Sequence, residues 1–280
     1  MASQPFPRSP DEPSARRAVR SLSGAVGTSR GAPSAAITLA GRPLPSKGRG
    51  AAVLCYHDIG TDRANTTDYY VSPDRFRLHL EWIRAWGQTF VPLAEVVDRL
   101  LAGRDLDGLV AVTFDDALLG VQEHAAPILH TLGVPATVFA VTDVLGVAPR
   151  FWPGAQRTLS RDELGALTDS GLITLGSHTG SHASLPDIAP EERARELHNS
   201  RATLATLTGG PVDLLAYPSG HHDHDTEAAT AAAGYRGAFT FSFGRVTAET
   251  NPFAIPRFCI GPLHNKFRLV RQLGRPPTAW

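Results

Sequence analysis

Leu109-Val110-Ala111-Val112-Thr113-Phe114-Asp115-Asp116 is the stretch that decides the fold of this chain. Its first six residues carry no charge and mix β-branched, aliphatic and aromatic side chains. A run this short and this apolar reads as a strand buried on both faces, as in a parallel sheet. Two carboxylates end it. Adjacent residues at a strand end point to opposite sides, so the two acids need not do the same work. A second apolar run, Leu172 to Leu175, leads into Ser177-His178-Thr179-Gly180-Ser181-His182. A third, Val212 to Tyr217, leads into Pro218-Ser219-Gly220.

The segments between these runs have helical character. Ser72-Pro73 supplies an N-cap and a first-turn proline, with Phe76, Leu80 and Ile83 on one face. Helices are also expected over Leu93–Leu101, Val121–Leu132 ended by Gly133, a segment opened by the capping box Ser160/Glu163, Glu191–Leu207 before Gly209, and Thr226–Ala233 with Asp225 as cap. Asn265 is expected to cap a C-terminal helix. Further strands are expected at Ala51–Tyr56, Ala136–Val141, Gly237–Phe241 and Ile255–Ile260. Repeated strand–helix units imply parallel strands with helices outside. About seven of them suit a distorted (β/α) barrel, with an open doubly wound sheet as competitor. No Gly-rich phosphate loop follows a strand, which counts against a dinucleotide fold. In a parallel barrel, functional groups sit at the C-terminal strand ends, where the Asp pair, the His pair and Pro218-Ser219-Gly220 all fall.

The chain has 280 residues, 42% of them hydrophobic, enough for one large core. Lys plus Arg and Asp plus Glu balance at 27 each, so no long-range field argues for nucleic acid or an acidic membrane surface. Cys55 and Cys259 read as buried thiols; two cysteines make no disulfide framework. Residues 1–50 are rich in Ser, Pro, Ala, Gly and Arg without apolar periodicity and are expected to form a disordered arm before a domain over 51–280. No apolar stretch of signal-peptide length follows Arg16, Arg17 and Arg20, and none is long enough to span a bilayer. A cytoplasmic location is therefore expected, with secretion by another route left open.

One carboxylate and two imidazoles can hold a divalent metal and leave coordination positions free, while a second carboxylate acts as a base. The spacing of His178 and His182 would put both on one face of a helix, but Thr179, Gly180 and Ser181 favour a loop. Pro218-Ser219-Gly220 is either a simple turn or a turn that aims the Ser219 backbone N–H at a developing oxyanion.

These motifs resemble those of the polysaccharide deacetylases of the NodB-homology type (carbohydrate esterase family 4). The matching residues are Thr113-Phe114-Asp115-Asp116, His178-Thr179-Gly180-Ser181-His182 and Ala216-Tyr217-Pro218-Ser219-Gly220. They are supported by Val53-Leu54-Cys55-Tyr56-His57, Pro135 to Phe139, Ala233-Gly234-Tyr235 and Ile255-Pro256-Arg257. The resemblance implies a metal-dependent amide hydrolase on a distorted barrel. It makes Asp115 the general base and Asp116, His178 and His182 the metal ligands, with the Ser219 N–H holding the oxyanion. The metal it implies is zinc, or cobalt, nickel or manganese, since the ligand set does not choose among them. Three departures stand out: Ala117 replaces the usual Gly after the Asp pair, Ala216 replaces a common Arg, and no clear Leu-x-His supplies the general acid. Arg257 is a candidate to orient the base, and His264 is the nearest candidate for the acid.

His57 and Asp58 are further candidates for the site. The cluster His221-His222-Asp223-His224-Asp225 is a second metal site, a cleft lining or a solvated loop. Trp82 and Trp86 read as packing residues; Trp152, in a loop, is a candidate for stacking on a sugar, and Trp280 is the remaining large platform. The implied function is removal of an N-acetyl or small N-acyl group from an amino sugar. The alternatives are a non-hydrolytic metal- or carbohydrate-binding barrel, and an amidohydrolase acting on a non-sugar natural product.

Overall fold

The frame is a run of parallel strands with helices between them. A computed structural model describes residues 49–60 and 69–273, all within the compact unit Pro43–Trp280. The arm expected before residue 51 lies outside the described residues except for 49 and 50, and Trp280 also lies outside them. The elements in order are β1 Ala52–Tyr56, β2 Asp58–Ile59, β3 Tyr70–Val71, α1 Pro73–Ala85, β4 Thr89–Phe90, α2 Leu93–Leu101, β5 Leu109–Phe114, α3 Ala126–Leu132, β6 Ala136–Ala140, α4 Arg161–Thr168, β7 Ile173–Ser177, α5 Pro190–Thr208, β8 Leu214–Ala216, α6 His224–Ala232, β9 Gly237–Phe239, β10 Phe258–Cys259 and α7 Lys266–Leu273.

Seven strands pair in the order β10-β1-β5-β6-β7-β8-β9, with β4 added on β5, and the pairings are parallel. A bridge from Phe239 to Ile255 draws the β9 edge toward the segment that enters β10. The sheet therefore curls into the expected distorted barrel rather than lying open.

Strand alternation sorts the core into two layers. Val53, Ala111, Phe139, Leu214, Ala216 and Phe239 meet inside the barrel, and Val96, Val97 and Leu100 of α2 join them. Leu54, Tyr56, Val112, Phe114 and Val138 face outward against α1 and α3 through Phe76, Leu80, Ile83 and Leu129. Gly176 makes room for the inner layer, because a Cβ there would lie 2.4 Å from the Phe139 ring. Continuing the alternation upward, Cys55 and His57 follow Val53 inward, and Thr113 and Asp115 follow Ala111. The barrel floor is thus apolar and its mouth is polar.

Local signals act where expected. Ser72 caps α1, the Ser160/Glu163 box caps α4, and Gly133 and Gly209 end α3 and α5 in the left-handed region. The Asn265 carboxamide accepts the Arg268 N–H at the start of α7. Two readings need correction. The helix expected from Val121 begins as a π-turn over Val121–Ala125 and becomes α-helical only at Ala126. The cap of α6 is Asp223, not Asp225, since its carboxylate accepts the Thr226 N–H at 2.8 Å. Among the described residues no helix is long and apolar enough to cross a membrane.

Candidate metal centre and base

All five non-glycine residues with positive φ among the described residues lie in the three motif turns: Asp116, Ala117, Thr179, His182 and Ser219. Such backbone costs of order 1–3 kcal/mol per residue and persists where surrounding contacts enforce it, characteristically at functional sites. Here the turns follow β5, β7 and β8, on one rim of the barrel.

Asp115 extends β5, its N–H donating to the Tyr56 carbonyl at 2.9 Å. Its carboxylate accepts two hydrogen bonds from Arg257, Nη1 to Oδ1 and Nη2 to Oδ2, both at 2.7 Å. Both residues are fully buried. Arg257 also donates to the Thr240 carbonyl and the Thr113 hydroxyl, and its guanidinium lies 5.7 Å and 5.2 Å from the ring centroids of Phe139 and Phe241. Burial alone would raise the Asp115 carboxyl. Arg257 and the nearby His178 outweigh it and hold Asp115 well below the usual carboxylate range.

Asp116 turns the other way. His178 Nε2 and His182 Nε2 each lie 3.6 Å from its Oδ1. That oxygen is buried and has no hydrogen-bond partner. His178 Nδ1 lies 2.7 Å from the Ala216 carbonyl, an acceptor only, so Nδ1 donates there and Nε2 is the nitrogen turned toward Asp116. A carboxylate oxygen facing two imidazole nitrogens is an arrangement that a cation completes. Metal–ligand distances of about 2.0–2.2 Å are compatible with donors this far apart. Without a cation, burial pushes Asp116 up to about 7, Asp115 adding to the effect, and burial beside His178 drops His182 to about 3. The neutral His182 ring is a ligand form, and it stacks on Phe151 at 3.9 Å and 9°. The residues present fit a divalent cation.

Among the described residues only one other group of side chains has donor atoms this close together: Cys55, His57 and Asp115. The His221–Asp225 segment belongs to neither group. His222 stacks on Tyr217, His221 faces the Ser184 hydroxyl and Asp223 caps α6, so its residues stabilise the loop.

The structure does not bring His264 to the centre. It sits outside the barrel, its Nδ1 accepting the Gly261 N–H, its Nε2 beside Gln272, and its carbonyl 2.8 Å from His79 Nε2. His57 occupies the mouth instead. It is buried, with Nδ1 4.0 Å from Cys55 Sγ and its ring among Tyr69, Trp152 and Phe241. Burial would lower its pKa, but Cys55 and Asp115 raise it above the ordinary value. The signal was the alternation along β1, which places residue 57 on the same side as Val53. Asp58 points away, toward Gly120 and His124. Cys55 and Cys259 are free thiols in register across β1 and β10, and the Cys55 thiol lies 3.5 Å from Asp115 Oδ2. Ala216 offers no cation to the base; Arg257 stands there from β10's approach.

The family model described as Polysaccharide deacetylase matches residues 102–238. The poly-beta-1,6-N-acetyl-D-glucosamine N-deacetylase of Staphylococcus epidermidis is 25% identical over 201 residues, covering 69% of this chain and 68% of that protein. The structure of IcaB from Ammonifex degensii superposes with a TM-score of 0.70 at 27% identity, over 81% of this chain and 97% of that one. The Streptococcus pyogenes deacetylase PplD, in complex with acetate, shares the fold at a TM-score of 0.70 and 23% identity, over 82% of this chain and 99% of that one. By its three motif turns, its barrel and the match over residues 102–238, the chain is similar to the polysaccharide deacetylases.

Proposed function

We propose that this chain is a divalent-metal-dependent hydrolase that removes N-acetyl groups from an N-acetylglucosamine polymer. The observation that carries the reading is the split of the Asp pair: Asp116 faces two imidazole Nε2 atoms while Asp115 is locked to Arg257. The names of the Staphylococcus relative and of IcaB support the substrate class. Asp116, His178 and His182 would hold the cation, which when bound supplies Lewis acidity to the acyl oxygen and to water.

The protein's own groups then divide the proton transfers. Asp115, ionised and pinned by Arg257, accepts a proton as water attacks the acyl carbon. The Ser219 N–H, in a turn that φ +56° holds open, donates to the oxygen that becomes negative. His57 gives a proton to the amide nitrogen as the C–N bond breaks, so acetate and a free amine leave. Acetate release from N-acetylglucosamine oligomers is the direct test. Activity is expected to vanish on chelation and return with zinc, cobalt or nickel. Asp116→Ala is expected to lose both metal binding and turnover; turnover persisting after complete metal removal would reject the reading.

The two histidines separate cleanly by experiment. His57→Gln is expected to lower kcat by roughly 10²–10³ and to remove the alkaline limb of the pH–rate profile, because a general acid works only while protonated. His264→Ala is expected to change kcat less than threefold but to lower stability by about 1–2 kcal/mol, the cost of its buried hydrogen bonds. The reverse pattern in steady-state kinetics would restore His264 as the acid.

A further inference from the structure

The loop bearing both imidazoles is held by a carboxylate that the chemistry above does not use. Glu196 lies on α5 and reaches back to the loop's apex. Its Oε2 accepts the Gly180 N–H at 2.7 Å and the Ser181 N–H at 2.9 Å, and its Oε1 accepts the Ser181 hydroxyl at 2.6 Å. On the loop's other edge, the Thr142 and Asp143 N–H groups donate to the Thr179 and Gly180 carbonyls at 3.2 Å and 2.9 Å. One helical turn further along α5, Ser200 Oγ lies 2.8 Å from Ser177 Oγ, which in turn accepts the Thr179 N–H.

Gly180 fits this clamp for a steric reason. A Cβ there would lie 3.0 Å from Glu196 Oε2 and 3.2 Å from Asp143 Oδ2. A side chain there would make the carboxylate give by a few tenths of an ångström against the two N–H groups it binds. The contacts hold strained backbone in place, since Thr179 and His182 on either side of the apex have φ of +67° and +66°. Charge-assisted bonds from one carboxylate to two adjacent amides are strong ones, and they act at the midpoint between the two ligand residues.

We propose that Glu196 is a positioning residue that sets the separation and orientation of the His178 and His182 rings, and so the affinity of the site for its cation. The proposal rests on the reading of Asp116, His178 and His182 as metal ligands. Support lost behind the ligands commonly costs 10–100-fold in metal affinity. Glu196 is itself partly exposed on a 19-residue helix anchored by Leu197 and Leu204, so its truncation removes none of the helix's core packing.

The test is the dissociation constant for zinc, measured on the full chain by competition with a chromophoric chelator, together with the visible spectrum of the cobalt-loaded protein and the melting temperature of the metal-free protein. Glu196→Ala is expected to weaken zinc binding by about 10–100-fold and to alter the cobalt spectrum, with the metal-free melting temperature within about 2 °C of wild type. Glu196→Gln, which keeps one acceptor oxygen, is expected to fall between. Gly180→Ala is expected to weaken binding through the same clamp, so the double variant should be little worse than the worse single one. Wild-type affinity and spectrum in both Glu196 variants, or strictly additive effects of Gly180→Ala and Glu196→Ala, would overturn the clamp alone. A wild-type chain that binds no metal would overturn the metal site and the clamp with it.

Discussion

Asp115→Asn is expected to lower kcat about a thousand-fold while leaving zinc affinity within a few-fold of wild type. A positioned general base contributes typically 10²–10⁴ in rate, and the amide of Asn accepts no proton near neutrality. Metal affinity is expected to survive because the two acids are separated by the strand end: Asp115 faces Arg257, and Asp116 faces the imidazoles. The pH profile adds a second check. Arg257 holds the Asp115 carboxyl far below its ordinary range against the effect of burial, so Asp115 stays ionised throughout the working range. The acid limb of the wild-type profile is therefore expected to belong to groups other than this base. Metal-supported turnover in Asp115→Asn within tenfold of wild type, measured as acetate release, would remove Asp115 from that role.

Much of this candidate site is legible in the sequence. The run ending in Asp115-Asp116 and the two later polar turns fall on strand ends because a short β-branched run bounded by polar residues has few other ways to fold. The separation of the two acids followed from strand alternation alone, and it is what the barrel enforces. Arg257 is within reach of sequence reading because a carboxylate base needs an orienting partner and Ala216 supplies none, although only the barrel brings it beside a residue 142 positions away. His264 misled because a loop histidine carries no local mark of the face it will pack on. The α7 helix turns it outward to Gln272 and the His79 layer. Glu196 left no trace either: on a helix rich in charged residues it looks like a solvent-facing acid. Its partners are backbone N–H groups, which a sequence does not display. The two-residue strands β2, β3 and β4 escaped for a similar reason, being too short for any periodicity to register.

Arg257→Leu is expected to destabilise the protein by about 3–5 kcal/mol at neutral pH, because it strands a carboxylate in the barrel interior. The pair is fully buried and bidentate. Removing one member of such a pair costs far more than the pair itself contributes, since the remaining charge is neither paired nor hydrated. The pH dependence fixes the cause. In the wild type the Asp115 pKa is depressed below its unfolded value of about 3.9, so its contribution is present above that pH and is lost only as pH falls through the depressed value in strong acid. In the variant burial is the largest influence left, opposed only by His178 and His57, and it raises the carboxyl above its unfolded value. The sign then inverts: the variant is penalised as pH rises through the raised value and is relieved below about pH 4. The gap in stability between the two proteins, followed by urea unfolding in the presence of chelator, should therefore narrow steadily from about pH 7 to about pH 5. Chelator keeps cation binding from weighting one protein over the other, and Asp116, raised to about 7 by burial in the metal-free protein, titrates in both and largely cancels. A deficit in Arg257→Leu that is the same at both ends of that range would mean that lost packing against Phe139 and Phe241, rather than an unpaired base, is what the substitution costs.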